Sequence, residues 1–378
     1  MNPTTLLPYY PTYNILDEVV SSKNYKNINI FIDLKNNLQT TFLEFAVKNI
    51  IENSKASNYY DTSIFSSVIS FLGFHKLYAL KRGLNINFYI FFETGQSYYH
   101  IHLHKDYKKS RHVGGNLFGL DLEDRDLFKS VLYSNFLMTE KALNRVPNVF
   151  VVHLQNLEAD FVPYYLIKRK KILQDENTVN LIYSTDHDLY QCVDENTFVF
   201  FRHYKTKKII KKGQVLSEYL KIESDIPDEY LPFAMSIIGD SGDDIDGIKG
   251  IAAGRFIPIF NDLKNIIGDM TLLYKNIEEG SNPFSLYQET KLNKNIDKII
   301  ESEKNSSLIS RNMKLVSFEL LSRKLDNPDC TEIIDKKKKL LDPFKIKEIV
   351  SYDSILNALV KNHVILEEES LNVLYYGS

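Results

Sequence analysis

Acidic residues recur along this chain at places where they could hold a divalent cation. Asp33 ends one apolar run, Glu93 ends a second, and Glu158 and Asp160 follow a third. Asp186 and Asp188 follow a fourth, while Asp240 and Asp243 stand just before a loop punctuated by Gly247 and Gly250. Carboxylate oxygens without neighbouring Cys or His ligands suit hard ions such as Mg²⁺ or Mn²⁺ better than Zn²⁺. Two such ions about 3.5–4 Å apart activate water and neutralise charge in phosphodiester hydrolysis. A glycine-rich turn lets a backbone approach phosphate closely. The segment 237–256 thus joins ion-holding acids to a phosphate-gripping turn, and the chemistry it suggests is metal-dependent attack on a nucleic-acid backbone.

Five segments read as strands from apolar run length and β-branched or aromatic content: Asn27–Leu34, Ile86–Glu93, Asn148–His153, Val179–Ser184 and Thr197–His203. Helical patterns fall between them, over Thr40–Asn53, Thr62–Arg82 and Asp160–Lys171, and Asp228–Ile238 is a further helix. Near-continuous apolar strands alternating with helices predict an α/β fold, a mostly parallel central sheet covered on both faces. Ligands of such sheets gather at the carboxyl ends of the strands. All eight carboxylates are therefore expected on one sheet edge. Residues 94–146 are polar and basic without a strand pattern, and an insertion of that length beside a site is usually functional. Beyond about residue 260 the chain reads as helical and charged. The expected division is 1–235 for the catalytic core and 236–378 for the turn segment and a mainly helical C-terminal region.

The segment Gly239-Asp240-Ser241-Gly242-Asp243-Asp244-Ile245-Asp246-Gly247-Ile248-Lys249-Gly250-Ile251-Ala252 resembles the helix-three-turn-helix of the 5′-nuclease superfamily, Gly-Asp-Ser-x-Asp-Asn-Ile-x-Gly-Val-x-Gly-Ile-Gly. Asp244 replaces the usual Asn and Ala252 the third Gly. Phe31-Ile32-Asp33-Leu34-Lys35-Asn36-Asn37, Leu157-Glu158-Ala159-Asp160 and Ser184-Thr185-Asp186-His187-Asp188-Leu189-Tyr190-Gln191 are similar to the family's other acidic motifs, in the same order. Ile309-Ser310-Arg311-Asn312-Met313-Lys314-Leu315 looks like a short element of the phage members. The resemblance implies a PIN-like nuclease fold with a helical arch, and two Mg²⁺ or Mn²⁺ ions. Glu158, Asp160 and Asp186 would hold one ion, Asp188, Asp240 and Asp243 the other, with Asp33 shared and Glu93 standing where the family has Asp. Phe161 stands where many members have a further Asp.

His104-Lys105-Asp106-Tyr107-Lys108-Lys109-Ser110-Arg111 resembles the start of the family's arch. By that resemblance Lys108 and Arg111 would steer the scissile phosphate, Lys109 would add charge, and Tyr107 would stack an unpaired base. Gly247, Lys249, Gly250 and Arg255 would grip duplex backbone, with K⁺ held by carbonyls of that turn. The implied activity is that of a 5′→3′ exonuclease and flap endonuclease of the bacteriophage type, which includes ribonuclease H. Its partners would be branched or nicked duplex DNA with a 5′ single strand, RNA–DNA hybrid and replisome proteins. A catalytically weakened scaffold of the same fold is the alternative, and a plain PIN-type ribonuclease ranks below both.

The net charge of −3 gives no global pull toward nucleic acid, so any basic surface must be local. Lys168–Lys171, Lys205–Lys212 and Lys336–Lys339 are basic runs that read singly as exposed ends or loops. Cys192 and Cys330 match no metal or redox spacing, and with no secretory signal a reducing, cytoplasmic setting is expected. No apolar run is long enough to span a membrane, and a monomer is expected. His100, His102 and His104 would share one side of a strand, but they fall in the arch entrance without a Cys and read as polar loop residues.

Overall fold

A computed structural model describes residues 13–37, 63–109, most of 130–171, 173–203, 206–285 and 293–326. The expected helix Thr40–Asn53, the candidate phosphate-steering Arg111, Cys330 and the run Lys336–Lys339 lie outside the described residues. Six strands form one sheet in the order β3-β2-β1-β4-β5-β6. They are β1 Asn27–Asp33, β2 Asn85–Thr94, β3 Val149–Gln155, β4 Thr178–Tyr183, β5 Thr197–His203 and β6 Thr206–Ile210. The first five run parallel and β6 returns antiparallel along β5. This is the mostly parallel α/β sheet that the apolar runs predict. The sixth strand was not expected. Its sequence, Thr-Lys-Lys-Ile-Ile, reads as part of a basic run rather than as a strand, and charged residues are common on edge strands.

Alternation along the strands sorts their side chains onto two faces. Ile28, Ile30, Ile32, Phe88, Ile90, Phe92, Leu181 and Tyr183 belong to one apolar cluster, while Phe31, Tyr89, Phe91 and Ile182 belong to the other. The first cluster is covered by α2 (Ser63–Lys81), which follows α1 (Tyr13–Val20). The second continues without a break to Leu325, through α3 (Tyr98–Leu103), α4 (Val215–Leu220), α5 (Leu231–Ile238), α6 (Phe260–Ile267), α7 (Met270–Glu278), α8 (Lys294–Ser306), α9 (Leu308–Val316) and α10 (Phe318–Asp326). Both faces are dry, so the strands need no polar alternation. The polar exceptions satisfy one another: Asn87 donates to Asn29 at 3.0 Å, and Asn29 to Asn180 at 2.9 Å, across three adjacent strands. Among the described residues no helix is long and apolar enough to cross a membrane.

His75 of α2 is fully buried under the sheet. Its Nδ1 lies 2.8 Å from the Phe71 carbonyl and its Nε2 2.6 Å from the Tyr183 hydroxyl. A carbonyl only accepts, so Nδ1 carries the hydrogen and Nε2 accepts from Tyr183. Burial lowers the ring's pKa to about 4, against an ordinary value of 6.5. Between those values the unfolded chain binds a proton that the folded chain refuses, so stability is lost as pH falls through that window. The stability advantage of wild type over His75→Gln is therefore expected to shrink by about 3 kcal/mol between pH 7 and pH 4. Urea denaturation of both proteins across that range checks this, and a constant difference would contradict it.

Candidate active site

The carboxyl edge of the sheet gathers the acids. Asp33 closes β1, with Oδ1 accepting from the Asn36 amide at 2.9 Å and Oδ2 from the Ser184 hydroxyl at 3.2 Å. The Ser184 hydroxyl in turn receives the Asp186 amide at 3.1 Å, and Asp186 Oδ1 receives the Asp188 amide at 3.0 Å. Asn36 accepts from the backbone and hydroxyl of Thr185 at 2.9 and 3.1 Å, which ties the turn after β4 to the turn after β1. Glu93 on β2 accepts from Lys35 at 2.6 Å and from the Ala159 amide at 3.4 Å. Its extra methylene, relative to Asp, spans the gap to the loop carrying Glu158 and Asp160.

The base of the basic insertion lies over this edge. The Tyr107 hydroxyl lies 3.0 Å from both oxygens of Glu158 and 3.1 Å from Asp243, so its one proton is shared between the two carboxylates. Lys108 pairs with Glu158 and lies 3.3 Å from Asp243, and its amide donates to the Asp243 carbonyl at 3.0 Å. His100 stacks on Tyr107 with ring centroids 4.7 Å apart. Its Nε2 donates to the Leu315 carbonyl at 3.1 Å, so Nδ1 is the acceptor for the Ser97 hydroxyl at 2.6 Å. Tyr99 donates to the Lys314 carbonyl at 3.2 Å and Gln191 to that of Val316 at 2.9 Å. Three consecutive carbonyls at the end of α9 thus hold the insertion and the turn after β4.

A two-stranded ribbon, β7 (Gly239–Asp240) and β8 (Ile245–Asp246), delivers the last two acids. Gly239 has φ +81°, and a Cβ there would stand 2.3 Å from the Gly247 amide nitrogen. A Cβ on Gly247 would stand 1.9 Å from the Ile238 carbonyl oxygen, so only glycine fits at both positions. Asp244 sits at φ +56°, a conformation that Asn and Asp tolerate better than other residues. Asn312, fully buried on α9, donates to the Ser236 and Asp246 carbonyls at 2.9 and 2.8 Å and so ties α5, which leads into the ribbon, to the ribbon's second strand.

The electrostatics follow from this crowding. Burial, with the charges of Glu93 and Asp186, pushes Asp33 up to about 7. Burial and neighbouring carboxylates also hold Asp160, Asp186 and Asp188 above the usual range. Glu158 goes the other way: burial is the largest influence and raises it, but the charges of Lys108 and His100 and the hydrogen bonds from Lys108 and Tyr107 together outweigh burial and hold it low. Asp243 contributes to the field at Asp186, Asp188 and Tyr107, whereas Asp240 stands at the margin, felt by Tyr219 and His187. Among the described residues no three His, Cys, Asp or Glu side chains are closed to ion-holding distance. The Lys108 ammonium stands between Glu158 and Asp243. The donor set nevertheless fits hard divalent ions: it is all oxygen, and buried Asp160 Oδ1 has no hydrogen-bond partner.

Several expectations need correcting. Tyr107 does not offer a face for a base; it is buried, stacked on His100, and works through its hydroxyl. His100 and His102 are not loop residues but lie on α3, where His100 is buried; His104 is a polar residue just past the helix, as expected, and donates to the Asp244 carbonyl at 2.9 Å. Because residues 98–103 form a helix, the three histidines do not share one side. The run Lys168–Lys171 is largely engaged internally, with Lys168 on Asp194 and Arg169 and Lys170 on Asp326. Lys109 is exposed and pairs with Asp106 at 2.9 Å. Lys249 and Gly250 lie on an exposed turn beyond Gly247, and Arg255 is exposed on the short helix Ala253–Phe256 that follows. Sequence reasoning missed His100 and Gln191, whose roles depend on α9 more than a hundred residues away. Asn312 was visible only as one letter of a short motif.

Solved structures share this architecture. A bacteriophage T5 protein co-crystallised with metal ions superposes with a TM-score of 0.57 at 19% identity, over 85% of this chain and 100% of that one. The bacteriophage T5 flap endonuclease in complex with DNA and metal ions gives 0.56 at 20% identity over the same shares. Zinc-bound T5 5′-exonuclease gives 0.55 at 19% identity, again over 85% and 100%. No protein-family model and no curated protein matches the sequence. The chain therefore has the fold of the 5′-nuclease superfamily.

Two outcomes follow from this geometry. Asn312→Ala strands the Ser236 and Asp246 carbonyls, and should lower stability by about 2 kcal/mol in urea denaturation; unchanged stability would remove its clamping role. Asp188→Asn relieves repulsion, so in EDTA at pH 7.5 it should be more stable than wild type. That gain should fade toward pH 4, where the unfolded Asp188 also holds its proton. Thermal melts in chelator test it, and a variant no more stable than wild type would refute the repulsion.

Proposed function

We propose that this chain is a metal-dependent 5′→3′ exonuclease and structure-specific 5′-flap endonuclease. Its substrates are phosphodiesters in DNA or RNA–DNA hybrids, and its setting is removal of RNA primers and flaps in phage DNA replication. The observation that carries this reading is the meeting of Asp33, Glu93, Glu158, Asp160, Asp186, Asp188 and Asp243 on one sheet edge beneath Lys108. Two Mg²⁺ or Mn²⁺ ions bound there supply an activated water and neutralise charge on the scissile phosphate. Glu158, Asp160 and Asp186 would hold one ion and Asp188, Asp240 and Asp243 the other, with Asp33 common to both.

The chain's own groups do the rest. Lys108, now paired with Glu158 and Asp243, moves its ammonium onto the scissile phosphate when the acids find other partners. The Tyr107 hydroxyl keeps Glu158 and Asp243 facing each other, and Arg111 adds charge from the same segment. The turn from Gly247 to Arg255 holds duplex backbone away from the cut and reads no base edges, so recognition follows structure rather than sequence. A weakened scaffold remains the second reading, motivated by Lys35 on Glu93 and Lys108 on Glu158, which already neutralise two of the acids.

A labelled 5′-flap duplex titrated with Mg²⁺ or Mn²⁺ separates the two. Wild type should cut, and Asp188→Asn and Lys108→Met should each cut about a hundredfold more slowly or worse, the equivalent of about 3 kcal/mol. Binding without cutting in either metal would hand the case to the scaffold.

A further inference from the structure

The turn after Gly247 already carries its own positive charge. Gly250 has φ +82° and is exposed, with Lys249 beside it. Arg255 folds back so that Nη1 donates to the Gly250 carbonyl at 2.6 Å. A Cβ built on Gly250 would stand 3.2 Å from that nitrogen and 4.0 Å from Lys298 Nζ. Lys298 comes from α8, nearly fifty residues away, and is also exposed. Two cations from separate elements therefore flank one glycine whose missing side chain leaves the backbone open to approach.

A K⁺ ion held by carbonyls of this turn, which resemblance to the 5′-nucleases implies, fits poorly with these neighbours. It would share the Gly250 carbonyl with a bound guanidinium and sit beside an ammonium, both of like charge. A guanidinium has five N–H donors in a planar fork, so one bond to Gly250 leaves others for phosphate oxygens. We propose that the Gly250 turn is a phosphodiester-binding site whose charge is supplied by Arg255 and Lys298, making its hold on nucleic acid independent of a bound monovalent cation. The proposal rests on the nucleic-acid reading of the previous subsection. It names Lys298 as a contact and the side-chain pair as the substitute for the ion. The backbone carbonyl fixes the guanidinium in place, so little freedom is lost when phosphate arrives.

The test is fluorescence anisotropy of a labelled 5′-flap duplex in EDTA, at one ionic strength, in KCl, NaCl or tetramethylammonium chloride. Wild type should bind equally in all three, within about twofold. Arg255→Met/Lys298→Met should bind about tenfold more weakly, with a salt slope shallower by about 0.9, the value for one phosphate. Lys298→Met alone, at an exposed helical position, should show the same direction with an unchanged thermal midpoint, which guards against a misfolded double variant. Wild-type affinity that drops fivefold or more without K⁺ overturns the proposal, as does a double variant that binds like wild type. Either result leaves the nuclease reading standing if the same wild type cuts the flap with Mg²⁺ or Mn²⁺. A wild type that binds no duplex in any salt overturns both.

Discussion

Mutual repulsion among buried carboxylates is the constraint on which the rest of this structure depends. Acids brought out of water beside one another resist ionising, and Asp33, Asp160, Asp186 and Asp188 all show it. Nothing in a fluid loop would keep them there. They are held because Asp33 closes a strand buried on both faces, the others sit on short connections that follow strands of the same sheet, and the turns are cross-bonded through Asn36, Ser184 and the Asp188 amide. The same strain makes the edge a strong binder of positive charge, and Lys108 is the cation that the chain itself provides.

The C-terminal helices are part of this restraint. The last carbonyls of a helix lack partners within it and attract donors. The end of α9 uses them to hold Tyr99, His100 and Gln191, and Asn312 from the middle of the same helix clamps the Gly239–Gly247 ribbon. One helix therefore sets the position of Lys108, of the turn carrying Asp186 and Asp188, and of Asp240 and Asp243. The acidic edge and the glycine-rich turn are therefore coupled through packed backbone rather than through the acids alone.

What the sequence disclosed, and what it hid, divides along physical lines. Strand cores such as Asn27–Asp33 and Thr197–His203 were legible because burial on both faces leaves a plain apolar run. The acids were legible because a parallel sheet sends its strand ends to one edge. Partners set by distant packing were not. Nothing in the alternation His100, His102, His104 says that the first is enclosed by Tyr107 and the Leu315 carbonyl, and Tyr107 looked like an exposed aromatic because its neighbours are charged. β6 was hidden by the lysines that an edge strand carries.

The two departures from the family pattern also take on a physical meaning. Phe161 is fully buried and packs edge-on to Phe318, with centroids 5.9 Å apart, beside Tyr165. Its side chain belongs to the core that joins the sheet to α10, so an acid there would have faced apolar walls rather than the other carboxylates. Glu93 keeps its charge at the edge but uses its extra length to meet Lys35 and the Ala159 amide. The first change moves a position out of the site and into the core; the second adds a local countercharge. Taken together they leave an acidic edge that is somewhat less negative than its motifs alone suggest, with the difference made up in packing on one side and in an ion pair on the other.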